Sequence, residues 1–188
     1  THAHGQGYTD LNGLIPELVS RVDYAKGPYT AANGDLSTAG SADFTLQSLL
    51  DPGIVSFEIG EHAYYRGLIA GSIGIGGLLP GEAPAPSGGK DAKAVTPVSP
   101  EQFLTYALEF NSYEGPFDLS EDFTRWNGLL RWFAGDDDDH LSVTLMGYRG
   151  EWTSSDQIPQ RAVEDGSLPR FGHIDPFAGG DSQRYSLN

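Results

Sequence analysis

From residue 51 onward, apolar and polar side chains alternate with a period of two, and this alternation constrains the fold more than any other feature of the sequence. In GIVSFEIGEH, Val55, Phe57 and Ile59 point to one side and the intervening residues to the other. The same alternation recurs in YRGLIAGS, FLTYALEFNSY, RWNGLLRWF and HLSVTLMGYRGEW, and a further strand is expected to begin at QRYSLN. The pattern predicts five antiparallel strands and the beginning of a sixth.

This alternation fits two architectures, because a soluble sandwich and a membrane barrel both need strands with one apolar and one polar face. In a barrel, the apolar side chains of FLTYALEFNSY face lipid, whereas a sandwich buries them. Aromatic residues near the expected strand ends favour the barrel, since such residues form girdles at membrane interfaces. These residues are Tyr64, Tyr65, Tyr113, Trp126, Trp132, Tyr148 and Trp152.

The first 50 residues have a different, mixed character. LIPELV has the apolar spacing of a short helix, RVDY reads as a strand ended by the turn KGPY, and a second strand is expected over 42–46. The Pro/Gly/Ala-rich stretch at 77–101 is expected to be a flexible insertion rather than a domain boundary. The predicted domains are therefore 1–50 and 51–188.

Composition excludes several classes of function. The formal net charge of −15 leaves no basic stripe for a nucleic-acid backbone, so no nucleic-acid partner is expected. The chain has no cysteine, which rules out disulfides and thiolate metal sites within it. No apolar run reaches the roughly 20 residues that a membrane-spanning helix needs.

Four segments, taken in order, carry a family resemblance. IPELVSRVDYAKGPY resembles the plug-domain signature of TonB-dependent outer-membrane receptors, and GDLSTAGSADFTL resembles the glycine-rich strand that closes the plug. The segment from 154 to 187 is similar to a long extracellular loop in a subgroup of these receptors that also carries the plug loop HGQGYTDLN. The resemblance covers nearly the whole chain, apart from the Pro-rich insertion.

The resemblance implies a mostly β fold: a partial plug of α+β type at 1–50, then antiparallel up-and-down strands of an incomplete transmembrane β-barrel at 51–188. Thr1 is then expected to lie inside a plug, which makes the chain a fragment. The implied function is energy-coupled uptake of a scarce solute, of siderophore, cofactor or saccharide type. The implied location is the outer membrane of a Gram-negative bacterium.

The implied partners are outer-membrane lipid, a small-molecule ligand such as a metal chelate, and the TonB complex, reached through a missing N-terminal part. The resemblance places six candidate ligand-binding residues on plug loops that face the incoming ligand: His2, His4, Gln6, Tyr8, Tyr29 and Asn33. No cofactor, no metal site and no enzymatic activity are expected. His2 and His4 are spaced to reach a metal from one side of a strand, but two ligands do not make a site.

Other interpretations remain open at the level of sequence. The chain can instead be a complete small, soluble, β-rich acidic binding module that binds calcium. The run GDDDDH lacks the alternating spacing of a calcium loop, so a solvated turn is the better interpretation of it. Acids in the outer loops can bind divalent ions if they converge, namely Asp118, Glu121, Asp122, Asp156, Asp175 and Asp181. Glu58 and Glu109, on the polar strand face, are a third alternative as a glycosidase pair.

Overall fold

The computed structural model describes residues 10–33, 39–75, 101–135, 139–155 and 157–188, and these residues form a mostly β, antiparallel structure. Residues 1–9, 34–38, 76–100, 136–138 and 156 lie outside the described part, and with them most of the Pro-rich stretch and three acids of GDDDDH. Within the described ranges, no helix is long and apolar enough to cross a membrane.

Within the described residues, eight strands form two sheets. The smaller sheet pairs β1 with β2, and the larger one contains β3 to β8. The strands are β1 (Val19–Lys26), β2 (Gly40–Leu46), β3 (Ile54–Gly60), β4 (Tyr64–Gly74), β5 (Glu101–Tyr113), β6 (Phe123–Gly135), β7 (His140–Thr153) and β8 (Gly179–Leu187). The helical elements are 3-10 turns at Pro16–Leu18 and Ala31–Asn33 and the short helix α1 (Gln160–Glu164).

The larger sheet is a meander in which each strand pairs with the next in sequence. Its register places the connections 61–63, 114–122 and 154–178 at one end, which we call the loop end. These connections are hydrogen-bonded to one another: Glu114 N–H donates to His62 O (2.9 Å), and Asp118 N–H donates to Phe171 O (3.0 Å). The predicted strand count is confirmed, although β8 begins at Gly179, before the predicted QRYSLN.

The two faces of the larger sheet differ in an unusual way. On one face, which we call the exposed face, large apolar side chains lie open to the surroundings; Val55 is 83% and Phe57 70% exposed. Its other exposed apolar members are Ile59, Tyr65, Ile69, Ile73, Leu108, Trp126, Leu130, Leu141, Val143, Leu145, Tyr185 and Leu187. The opposite face, the covered face, holds most of the buried polar residues.

The segments on either side of the small sheet, residues 10–18 and 46–50, lie against the covered face. Ile15, Leu18 and Leu50 pack there on a small apolar patch of Leu68, Ala70, Ala107 and Leu129. Hydrogen bonds flank this patch: the Thr105 hydroxyl donates to Ser48 O (2.7 Å), and Leu50 N–H donates to the Ser72 hydroxyl (2.8 Å). Apolar packing and hydrogen bonds together hold these two segments, and through them the small sheet, to the large sheet.

Two local expectations differ from the structure. LIPELV forms a single 3-10 turn rather than a longer helix, because Val19 already has extended backbone angles and pairs with Leu46. The expected aromatic girdle is divided between the faces by the alternation of side chains. Tyr65, Trp126 and Trp132 lie on the exposed face, whereas Tyr64, Tyr113, Tyr148 and Trp152 lie at covered positions.

Candidate functional site: a polar cluster and a groove at the loop end

Charged and amide side chains at covered positions of β3 to β6 converge under the 3-10 turn that precedes β1. We call this set the polar cluster; it consists of Glu17, Glu58, Arg66, Glu109, Arg125 and Asn127. Five of its members come from four neighbouring strands, because covered positions on neighbouring antiparallel strands lie side by side, and Glu17 comes from the turn. The cluster joins the segment 10–50 to the sheet.

Arg66 lies at the centre of the cluster. Its Nη1 and Nη2 donate to the two carboxylate oxygens of Glu17 at 2.7 and 2.8 Å, a bidentate pair. Its Nε donates to Glu109 Oε1 (2.7 Å), and Nη1 also reaches Glu58 Oε1 (2.8 Å). The hydrogen bonds from Arg66 hold the pKa of the Glu17 carboxyl below its ordinary value, against the opposing effect of burial.

Glu109 is completely buried, with 0% of its side chain exposed, and accepts hydrogen bonds from three residues. Besides Arg66, Arg125 Nη2 donates at 3.0 Å and Asn127 Nδ2 donates to the other oxygen at 2.7 Å. A buried carboxylate is stable only with such partners. Two guanidinium groups and an amide therefore satisfy Glu109 inside the interface.

Asn12 connects the polar cluster to the loop end. Its backbone carbonyl accepts a hydrogen bond from Asn127 Nδ2 (2.8 Å), and its side-chain oxygen accepts one from Arg125 Nη1 (3.2 Å). The Asn12 N–H in turn donates to the carboxylate of buried Asp10 (2.8 Å). A continuous chain of hydrogen bonds thus runs from Asp10 to Glu109.

Beside Asn12, a groove of about 600 Å³ opens at the loop end; we call it the loop-end groove. One wall comes from the segment that carries Asp10 and the other from the loop ends of β6, β7 and β8. It is lined by Asp10, Asn12, Glu121, Phe123, Tyr148, Trp152, Thr153, Ser154, Ala178 and Gly179. Three aromatic residues and two acidic residues therefore line one concave surface.

Glycines set the position of the aromatic rings. A Cβ atom at Gly180 would lie 3.1 Å from the indole ring of Trp152, so the ring packs directly on the β8 backbone. In the same way, a Cβ at Gly150 would lie 2.5 Å from the hydroxyl of Tyr148, which extends along its own strand. The missing side chains let both rings lie close to the sheet and leave space above it.

Glu121 has a fixed backbone and a partly buried carboxyl group. Its N–H donates to Glu114 O (2.7 Å), and its carbonyl accepts from Thr153 N–H (2.7 Å). The side chain lies over Gly115, where an added Cβ would come within 2.8 Å of the carboxyl carbon. Burial raises the pKa of Glu121 above its ordinary value.

The six sequence-predicted ligand residues are only partly described by the structure. His2, His4, Gln6 and Tyr8 lie outside the described residues. Tyr29 is 89% exposed in the connection between β1 and β2, where its ring lies against Gly27. Asn33 Nδ2 donates to the Ser41 hydroxyl (2.7 Å) across the same connection. Neither Tyr29 nor Asn33 lines the loop-end groove.

The outer-loop acids do not assemble into a metal site within the described chain, where no group of three or more His, Asp or Glu side chains is placed to hold an ion. Asp156 lies outside the described residues, as do three of the four acids of GDDDDH. The proposed glycosidase pair has another use in the structure. Glu58 and Glu109 both bind Arg66, and Glu109 is fully buried.

Sequence reasoning placed Glu109, Arg125 and Asn127 on the polar strand face but did not identify their association with Arg66 and Glu17. The sequence feature that could have indicated this association is the presence of acidic and basic residues at polar positions of neighbouring strands. It also did not identify the groove, whose walls come from segments more than 100 residues apart.

Comparison with protein-family models, with curated proteins and with solved structures finds no significant match to this chain.

Proposed function

We propose that this chain is part of a TonB-dependent outer-membrane receptor, a protein that takes up a scarce solute across the outer membrane of a Gram-negative bacterium. In this proposal, residues 10–50 belong to the plug and β3 to β8 are the first strands of the barrel. The protein binds its ligand and gates its passage, and the TonB complex supplies the energy through a part of the receptor N-terminal to this chain.

The observation that carries the proposal is the inverted polarity of the larger sheet. A soluble sheet buries its large apolar face, but here that face is exposed, and the covered face holds charged and amide side chains beside a small apolar patch. Strands of a transmembrane barrel have this arrangement, with apolar residues toward lipid and polar residues toward the interior. The exposed apolar surface extends over all six strands, which is far more than single exposed residues on an ordinary soluble domain.

The covering segment supports the assignment of a plug. The segment 10–50 is held on the polar face by ion pairs and hydrogen bonds as well as by a small apolar patch. Such a mainly polar attachment suits a segment that must move relative to the barrel wall, because water can replace polar contacts more readily than apolar ones. The loop-end groove, open beside this segment, is the proposed ligand site.

The experiment is cysteine labelling of the full-length protein in its native membrane. Leu108→Cys and Leu145→Cys place a thiol among the apolar side chains of the exposed face, and Gln183→Cys places one on the same face at the middle of β8, beside the charged Arg149. We expect a lipid-soluble reagent to label Leu108→Cys and Leu145→Cys, and a membrane-impermeant maleimide to label only Gln183→Cys. Equal reaction of all three with the impermeant maleimide would contradict the proposal and favour the soluble acidic module.

A further inference from the structure

We propose that the loop-end groove binds an organic cation, with an alkylammonium group held between the Trp152 ring and the Glu121 carboxylate. The statement that this cation is part of the imported solute depends on the proposed function. The charge preference of the groove does not, because it follows from the side chains that line the groove.

Charge is the first argument. Two carboxyl groups, Asp10 and Glu121, line the groove, and its described lining includes no Lys or Arg. Arg125 is not a lining residue; its guanidinium donates to the lining residue Asn12 and to Glu109. An anionic ligand would meet two carboxylates without a compensating cation, and the net charge of −15 adds a repulsive field. The groove therefore selects against anions.

The aromatic rings provide the second argument. Trp152 packs on Gly180 with part of its ring surface and lines the groove with the rest, and Phe123 lies on the same wall. The faces of aromatic rings attract cations, and Trp does so most strongly. A neutral sugar can also stack on Trp152, but it offers no positive charge to the carboxylate of Glu121.

Glu121 provides the third argument. Its carboxyl is partly withdrawn from water beside Gly115, and burial raises its pKa. Burial disfavours the ionised form of the Glu121 carboxyl. A cation bound between Glu121 and Trp152 stabilises that ionised form and so offsets the cost of burial. The fixed backbone of Glu121, hydrogen-bonded to Glu114 and Thr153, holds the carboxyl in place for that contact.

The experiment is calorimetric titration of the full-length protein in detergent micelles with choline. The controls are 3,3-dimethylbutan-1-ol, the neutral isostere of choline, and citrate. We expect choline to bind, its isostere to bind about tenfold more weakly or worse, and citrate not to bind. Glu121→Gln and Trp152→Leu should each weaken choline binding by about tenfold, whereas Glu164→Gln, an exposed acid on α1, should leave it unchanged.

Three results would overturn the inference: equal binding of choline and its isostere, tighter binding of citrate, or unchanged choline binding in both groove variants. The proposed function is tested separately, by cysteine labelling of the same preparations. If choline binds but the impermeant maleimide labels Leu108→Cys, the cation site is supported and the receptor proposal is contradicted. If Leu108→Cys is labelled only by the lipid-soluble reagent and choline does not bind, the receptor proposal is supported and the cation site is contradicted.

Discussion

Arg66 donates hydrogen bonds to carboxylates from three separate parts of the chain: Glu17 in the 3-10 turn before β1, Glu58 on β3 and Glu109 on β5. Its side chain is only 11% exposed, and that of Glu109 is 0% exposed. When one partner of a buried ion pair is removed, the remaining charge stays buried without compensation, which is more costly than replacing the whole pair. Arg66 is therefore the residue on which attachment of the segment 10–50 depends most.

We predict that Arg66→Gln weakens this attachment by about 3–5 kcal/mol. The measurement is hydrogen–deuterium exchange of the β1 and β2 amides in the full-length protein, which should become faster. The matched control is Arg149→Gln, which removes an arginine that pairs with Glu151 and whose side chain is 58% exposed. The same exchange rates in both variants would show that Arg66 does not hold the segment.

Glu17 makes the attachment sensitive to acid. Its pKa is lowered in the folded protein from an ordinary value of 4.5, mainly by the hydrogen bonds from Arg66. Its contribution to stability is therefore complete above pH 4.5 and is lost as the pH falls below 4.5 through the lowered folded value.

We predict that exchange of the β1 and β2 amides, corrected for the intrinsic effect of pH on exchange, accelerates on acidification through this range. Glu17→Gln should already show weakened attachment at neutral pH and should lose part of the acid response. An acid response identical in wild type and Glu17→Gln would assign it to other carboxyl groups.

At the scale of strands, the sequence was most informative where alternation was longest. Strands β5, β6 and β7, each with at least 13 residues, were recognised because many alternating positions agree. The helix α1 has 5 residues, too few for a periodic signal, and lies within a connection that was treated as a loop. The short helix expected in LIPELV is only a 3-10 turn at Pro16–Leu18, because an apolar spacing of three or four residues is compatible with one helical turn as well as with two.

The polar cluster shows why a site is harder to predict than its strands. Alternation places Arg66, Glu109 and Arg125 on one face, but only the register determines which of them meet. In the observed register, Arg66 and Arg125 both pair with Asn111, so Glu109, two residues away on β5, lies diagonal to both arginines. A shift by one residue would move Glu109 to the other face.

The exposed face leads to a prediction about β5. Leu108 is 51% exposed near the middle of its strand, flanked by Ile69 and Gly128. If this face contacts lipid, Leu108→Arg should destabilise the full-length protein by about 2–4 kcal/mol, the cost of a charge at the middle of the bilayer. On a water-exposed surface, the same change should have an effect within about 0.5 kcal/mol.

The measurement is equilibrium unfolding in lipid vesicles, with Gln183→Arg as the control on the same face. Gln183 pairs with the charged Arg149, on a part of the face that already holds charge, so Gln183→Arg should cost about 0–1 kcal/mol. Small and equal effects of the two changes would argue against a lipid-facing surface.

For the whole molecule, the two sheets, the polar cluster and the groove fit one arrangement. A six-stranded meander has an open edge at β3 and another at β8, and unpaired strand edges are not tolerated within a bilayer. A barrel of about 22 strands, as expected for the proposed family, would pair both edges with further strands. The proposal therefore requires that the native polypeptide be much longer than these 188 residues.

The most direct test is the intact mass of the native polypeptide recovered from fractionated cells, identified by an antibody against residues 157–188. The receptor proposal predicts a species in the outer-membrane fraction with a mass several times the 20.2 kDa of this chain. A soluble species of 20.2 kDa would contradict the proposal and leave the small acidic binding module as the better interpretation.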